Sequence, residues 1–244
     1  MSLRITIATA RRALAQLRRD PRTIALILVV PPALLTLLRY VFDSNPAAFQ
    51  RVAVPLVGLF PLIVMFLVTS IAMLRERTGG TLERLMSMPL AKLDLLAGYG
   101  LAFASVAAAQ ACITSVVAFR LLDVETVGSP ALVVTLAVCN ALLGVALGLF
   151  LSAFATSEFQ AVQFMPAVLL PQIILSGLFV PRAELPRALR IVSALLPVSY
   201  AYDGLARVAA GLVDARLWAD CLIVLASVVL ALALGASTLR RRTP

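Results

Sequence analysis

RERTGGTLERLMSMPLAK, residues 75–92, lies between apolar runs at 52–74 and 95–119, and its reading decides the fold. The stretch gathers Arg75, Glu76, Arg77, Glu83, Arg84 and Lys92 around a Gly79-Gly80 break, with Pro89 near its end. Leu82, Leu85 and Met86 share one face at i, i+3, i+4, while Glu83 and Arg84 point elsewhere. That spacing predicts a short amphipathic helix hung between two long apolar segments, a handle a partner could push. The flanking runs each exceed the roughly 20 residues a helix needs to cross a bilayer.

The whole chain repeats this pattern. Of 244 residues, 61% are apolar and 14% charged, with mean hydropathy +1.01; an ordinary soluble domain is roughly 45–50% apolar and about 25% charged. Apolar runs at 23–42, 52–74, 95–119, 130–155, 159–180 and 217–239 predict an all-α membrane protein with six transmembrane helices. The first run is expected to be retained as a span, since mostly polar or weakly amphipathic residues precede it and no small-x-small cleavage pattern follows. The short turn Thr156-Ser157-Glu158 predicts that spans four and five form a helical hairpin.

Residues 1–22 read as a separate interfacial segment before a single six-helix domain at 23–244. Leu3, Ile7, Ala10, Leu14 and Leu17 make one stripe, with Arg4, Arg11 and Arg18 beside it, the pattern of a helix lying in the head-group region. Asp20-Pro21 ends it, because the residue before proline is pushed out of helical geometry. Between spans five and six, 181–216 is long but not hydrophilic. Leu185, Ala188, Leu189, Val192, Leu195 and Leu196 form one stripe, and Tyr202, Leu205 and Val208 a second. Stripes too short to span predict re-entrant or interfacial helices on the outer face, either a lid or a shield for the span ends.

Charge sets orientation. With the N-terminus cytoplasmic, the inner segments carry 13 of the 21 Lys and Arg and 5 of the 12 acids, a net +8, and the rest of the chain +1. Counting Lys and Arg in short loops places both termini inside. Arginines at span ends point to topology and lipid head groups, not to nucleic acid. Cys112, Cys139 and Cys221 all lie within apolar runs and there is no histidine, so neither a metal site nor a disulfide framework is suggested.

Catalytic chemistry finds little purchase. No G-x-x-x-x-G-K-[ST] loop exists, the sole lysine being Lys92 after Leu90-Ala91, so ATP is not expected to bind this chain in the P-loop manner. No serine sits in a G-x-S-x-G elbow. Arg39, Asp94 and Asp220 fall at span ends and no charge lies at a span centre, which argues against a proton- or sodium-coupled cycle. Neutral polar residues do enter the spans. Gln110, Asn140, Gln163 and Gln172 are possible pathway residues, although such groups more often bond across helices. Gly144 and Gly148 form a G-x-x-x-G that permits close helix contact, within the chain or in a dimer.

The run RERTGGTLERLMSMPL at 75–90 closely resembles the R-E-R-E-x-G-T-L-E-x-L-x-x-x-P-[LI] segment of type 2 ATP-binding-cassette exporter permeases. R-R-D-P at 18–21, L-S-G-L-F-V-P at 175–181 and L-P-V-S-Y-A-Y-D-G-L at 196–205 agree, and the layout is most similar to the daunorubicin-resistance branch. The resemblance implies a transmembrane subunit, homodimeric or heterodimeric with a second permease, with an ATP-binding-cassette ATPase subunit on each half. No cofactor is implied on this chain; ATP and Mg belong to the partner. Residues 1–22 correspond to an elbow helix and 75–92 to a cytoplasmic coupling helix. Arg75, Glu76, Arg77, Gly80, Thr81, Leu82, Glu83, Leu85 and Pro89 sit on the motif; Arg84 lies among them, and Ser157 and Glu158 fall at the second ATPase contact. Thr78, where a second acid is usual, and the added Gly79 depart from the pattern. Segment 181–216 matches re-entrant outer helices, with Gly177, Pro181, Pro197, Tyr200, Tyr202 and Asp203 as outer gate. The expected cargo is a hydrophobic or amphipathic small molecule, exported across a bacterial inner membrane among its lipids. A polysaccharide or glycolipid exporter shares the layout; a self-contained secondary transporter and a membrane-embedded enzyme are the other readings.

Overall fold

The computed structural model describes residues 3–80 and 92–238, and among them every regular element is helical. In chain order these are α1 (Leu3–Arg18), α2 (Pro21–Val41), α3 (Pro46–Thr78), α4 (Lys92–Leu121), α5 (Pro130–Leu151), α6 (Glu158–Phe164), a π-helical turn (Met165–Leu169) and α7 (Leu170–Leu175). A 3-10 turn (Arg182–Glu184), α8 (Arg187–Leu195), α9 (Pro197–Ala209) and α10 (Ala215–Ser237) complete the chain. Six segments are long and apolar enough to cross a membrane: α2, α3, Ala97–Leu121 of α4, α5, Glu158–Leu175 and α10. The chain is therefore a multi-pass membrane protein, as expected.

The two most buried spans organise the rest. In α3 and α5, 67% and 61% of the spanning window is buried by protein, against 22% for α2, for Glu158–Leu175 and for α10. Leu59, Leu62 and Phe66 of α3 pack with Leu143 of α5 in the main cluster, which Leu205 of α9 and Val224 of α10 extend. Water cannot drive this burial inside a bilayer, so close contact must, and glycine supplies it. A Cβ on Gly144 would stand 2.2 Å from the Leu62 carbonyl oxygen, and one on Gly148 2.6 Å from that of Phe66. The G-x-x-x-G pair thus serves contact within the chain.

Caps set the starts. Asn45 receives the Ala48 N–H at 3.2 Å with Pro46 in the first turn of α3, and Asp214 receives the Leu217 N–H at 3.0 Å before α10. Asp20 caps α2 through Oδ1 to the Thr23 N–H (3.2 Å) and Oδ2 to the Thr23 hydroxyl (2.7 Å), contacts that hold its carboxyl below the usual range.

Two expectations are revised. α3 continues to Thr78, so Arg75–Thr78 is its last turn and not the start of a separate helix; the rest of the expected coupling helix, including Thr81, Leu82, Glu83, Arg84, Leu85 and Pro89, lies outside the described residues. Spans four and five are no tight hairpin: α6 leaves α5 and rests on α3, with Phe164 and Ala161 against Leu74. Span five is interrupted midway. Pro166 and Pro171 cannot donate to the carbonyls a turn behind them, and a π turn occupies Met165–Leu169.

The N-terminal helix docks by the C-terminal part of the predicted stripe and by small residues beside it: Ala10 is buried, and Leu14 and Leu17 pack against the second core cluster. Thr9, Ala10 and Ala13 are buried, while Leu3 and Ile7 are exposed. α1 packs on α4 at Gly98, where a Cβ would meet the Thr9 side chain at 2.5 Å. Small residues let the two backbones meet, Leu14 and Leu17 pack beside them, and Leu3 and Ile7 are left for lipid.

Candidate functional site

Two clusters of ion pairs stand at opposite ends of the bundle. At the end where α3 finishes, three consecutive side chains reach three different elements. Arg75 grips Glu158 at the start of α6 through both Nε (2.7 Å) and Nη2 (3.0 Å). Glu76 accepts from Arg12 of α1 at 3.0 Å. Arg77 reaches the Thr238 hydroxyl beyond α10 at 3.5 Å. Consecutive helical residues are about 100° apart, so one turn can fan out to three neighbours. The expected contact residues Arg75, Glu76, Arg77 and Glu158 are thus occupied with one another's elements. Ser157 caps α6, its hydroxyl receiving the Gln160 N–H at 3.2 Å. Arg12 and Thr238 were not legible as partners, because they lie 64 and 161 residues away in sequence.

The opposite cluster joins the segment after α7 to α9 and α10. Arg182 pairs with Asp203 and sits 5.4 Å over the Tyr200 ring. Burial pushes the Asp203 carboxyl above its ordinary range, with the Arg182 guanidinium pulling the other way. Tyr202, also raised by burial, lies against Gly177, which holds φ +109°, and a Cβ there would meet the ring at 3.0 Å. Tyr200 donates to the Ala194 carbonyl at 2.7 Å; Pro197 opens α9 and Pro181 precedes the 3-10 turn. Gly177, Tyr200, Tyr202 and Asp203 therefore do meet. Arg182, their shared centre, follows Pro181 directly and was overlooked, as were Ser193 and Ser199, whose hydroxyls are 3.0 Å apart beneath Leu175. Arg207 adds pairs to Asp214 (3.1 Å) and Asp220 (3.4 Å). The apolar stripe of α8 faces outward, Leu189, Val192 and Leu195 all being exposed.

The pair Arg182–Asp203 is only 21% and 30% exposed. Arg182→Ala leaves the acid half-buried without its cation, at an expected cost of about 1–3 kcal/mol, below the 3–5 of a fully buried pair. Asp203→Asn added to Arg182→Ala should recover part of it, read as thermal unfolding in detergent; equal melting of parent and Arg182→Ala would show the pair to be idle.

No hydrogen bond joins any two of the four intramembrane amides. Asn140 donates to Ala201 O at 3.3 Å, and Gln172 to Val168 O at 3.1 Å. Gln163 is exposed at the bundle surface, and Gln110 is fully buried with neither amide atom hydrogen-bonded.

Among the described residues, long apolar spans with charge confined to their ends define a polytopic membrane protein. The chain belongs to the ABC-2 type transporter family, whose pattern matches residues 5–209. It is 28% identical over 148 residues to "Probable multidrug ABC transporter permease YbhR" of Escherichia coli (61% of this chain, 40% of that protein). It is 27% identical over 208 residues to "Probable multidrug ABC transporter permease YbhS" of the same organism (84% and 55%). A third relative, "ABC transporter G family member 20" of Dictyostelium discoideum, is 27% identical over 161 residues (65% and 22%). The chain thus spans from about a fifth to about half of the length of these relatives.

Proposed function

We propose that this chain is the transmembrane subunit of an ABC exporter that moves hydrophobic or amphipathic compounds outward, powered by ATP and Mg on a separate ATPase subunit. The observation that carries the reading is the three-way fan of Arg75, Glu76 and Arg77 at the end of α3. The stretch that follows is the one whose pattern resembles a coupling helix. A push on it would reach α6 through Glu158, α1 through Arg12 and α10 through Thr238. Rigid helices joined at one end convert a local displacement into a rigid-body motion.

On this reading the basic end is cytoplasmic, in keeping with the arginine count, and the Arg182–Asp203 cluster is the outer gate. The membrane is a bacterial inner membrane. Gln163, a hydrogen-bonding side chain on the bundle's outer face at membrane depth, favours a second permease subunit against α6 and α7. The names of the E. coli relatives support a drug-like cargo over a glycan.

The test is copurification of the tagged chain with candidate ATPase subunits, followed by ATP hydrolysis in lipid. Leu82→Asp is expected to detach the partner or uncouple hydrolysis from transport, and Glu83→Ala to weaken the complex. If no ATPase associates and both variants behave like the parent, the coupling assignment fails and a self-contained transporter must be reconsidered.

A further inference from the structure

A cavity of about 470 Å³ lies among α1, α2, α3 and α4 at the basic end. Its volume falls in the range of small-molecule sites, roughly 300–1,000 Å³. Neither the ion-pair fan nor the expected pathway residues account for it. One wall is apolar, built from Leu26, Val30, Leu67, Val68 and Phe103. Leu26 is 60% exposed on α2, so this wall continues onto the membrane-facing surface. The other end is polar and carries both signs, Asp20, Glu76 and Arg75 all lining it.

Each of these groups keeps unused capacity. Arg75 spends Nε and Nη2 on Glu158, leaving Nη1 out of that pair. Glu76 meets Arg12 through Oε2 alone. Asp20 stays ionised, since the Thr23 contacts hold its carboxyl below the usual range. Tyr99 is 2% exposed and lines the same cavity. Its hydroxyl lies beside the Glu76 carboxylate without a well-formed hydrogen bond. A buried hydroxyl with so weak a partner gains from a second acceptor.

We propose that this cavity binds a phospholipid with a primary-ammonium, zwitterionic head group, drawn from the leaflet at the basic end. The ammonium meets Asp20 and Glu76; the phosphate meets Arg75 and accepts from Tyr99. One acyl chain lies along Val30, Val68 and Phe103, and the other stays in the bilayer past Leu26. A head group bearing only positive charge would leave the Arg75 and Tyr99 donors unused, and an anionic one would face two carboxylates. A trimethylated ammonium cannot donate hydrogen bonds to them. The assignment stands whether or not the chain exports anything.

The test uses the purified full chain in nanodiscs of equimolar phosphatidylethanolamine, phosphatidylcholine and phosphatidylglycerol, transferred to detergent and weighed by native mass spectrometry. Phosphatidylethanolamine should be retained about tenfold over either competitor, the scale of one charge-assisted hydrogen bond. Tyr99→Phe keeps the ring and should cut retention several-fold; Val68→Trp fills the cavity and should abolish it. Val229→Trp, on the exposed face of α10, should change nothing. Should Val68→Trp not fold, Tyr99→Phe decides alone. Equal retention of the three lipids, or retention unchanged in Tyr99→Phe, overturns the proposal. So does retention of added dodecylamine where phosphatidylethanolamine is not retained, because the site would then read a cation only.

Discussion

Gly144→Ala is expected to lower the melting temperature of the purified protein sharply, and Gly144→Val to leave no correctly packed protein to purify. The reason is what stands opposite. A Cβ at Gly144 would lie 2.2 Å from the Leu62 oxygen, 3.0 Å from its carbonyl carbon and 3.1 Å from its Cα. These are backbone atoms, so no rotamer change removes the clash, and α3 and α5 must separate. Forcing even one extra carbon into a close-packed core costs typically 1–3 kcal/mol, and parting two central helices forfeits dispersion contacts along their length. Gly148→Ala meets the Phe66 oxygen at 2.6 Å and should behave alike, somewhat more mildly. Gly100→Ala provides the contrast. Nothing lies within 4 Å of its Cβ position in α4, and alanine favours the helix by up to about 1 kcal/mol. Thermal unfolding followed by size exclusion separates the three variants. If Gly144→Ala melts with the parent, the seam between α3 and α5 does not hold the fold together.

That seam shows what a single sequence discloses. The six spans were legible because a bilayer demands some twenty apolar residues per crossing, a requirement local to each run. The inner face of each helix was not. In α1 the predicted stripe of Leu3, Ile7, Ala10, Leu14 and Leu17 follows from hydrophobicity; Ala10, Leu14 and Leu17 do pack on protein, but Leu3 and Ile7 are exposed, and the buried Thr9 and Ala13 lie beside the stripe. Within or beside a membrane the largest apolar side chains gain as much from lipid as from protein, so hydrophobicity alone cannot choose the face; small residues do. The same rule accounts for Gly144 and Gly148, whose spacing announced a close contact but not with which helix. It also accounts for α8, whose leucines face away from the bundle.

The charged sites were legible in proportion to how local their partners are. The Asp20 cap sits three residues from Thr23 and could be read from the helix start. Gly177, Tyr200, Tyr202 and Asp203 were picked out from a recurring motif, but their centre, Arg182, needed the fold to bring it 21 residues back onto Asp203. The motif residues Arg75, Glu76 and Arg77 look from sequence like contacts for a partner. Their partners within the chain lie 64 to 161 residues distant, beyond any spacing rule.

Reversing one member of the Arg75–Glu158 pair should therefore impair transport far more than stability. Arg75 and Glu158 are 57% and 52% exposed, so the pair, although bidentate, contributes no more than about 1 kcal/mol to the fold. Arg75→Glu and Glu158→Arg should each melt within a few degrees of the parent. Each nevertheless places two like charges where 2.7 Å and 3.0 Å contacts stood, pushing the end of α3 from the start of α6. If that contact carries motion from the stretch after α3 into span five, efflux of a hydrophobic dye such as ethidium should fall at least about tenfold, with ATP hydrolysis by the partner persisting, an effect of the size expected for a lost coupling of 1–3 kcal/mol. The double reversal, Arg75→Glu with Glu158→Arg, restores opposite signs and should recover most of the efflux, which two independent surface defects would not do. A double variant no better than either single one would mean that each side chain acts on the ATPase by itself, and that the two membrane-side contacts are moved separately.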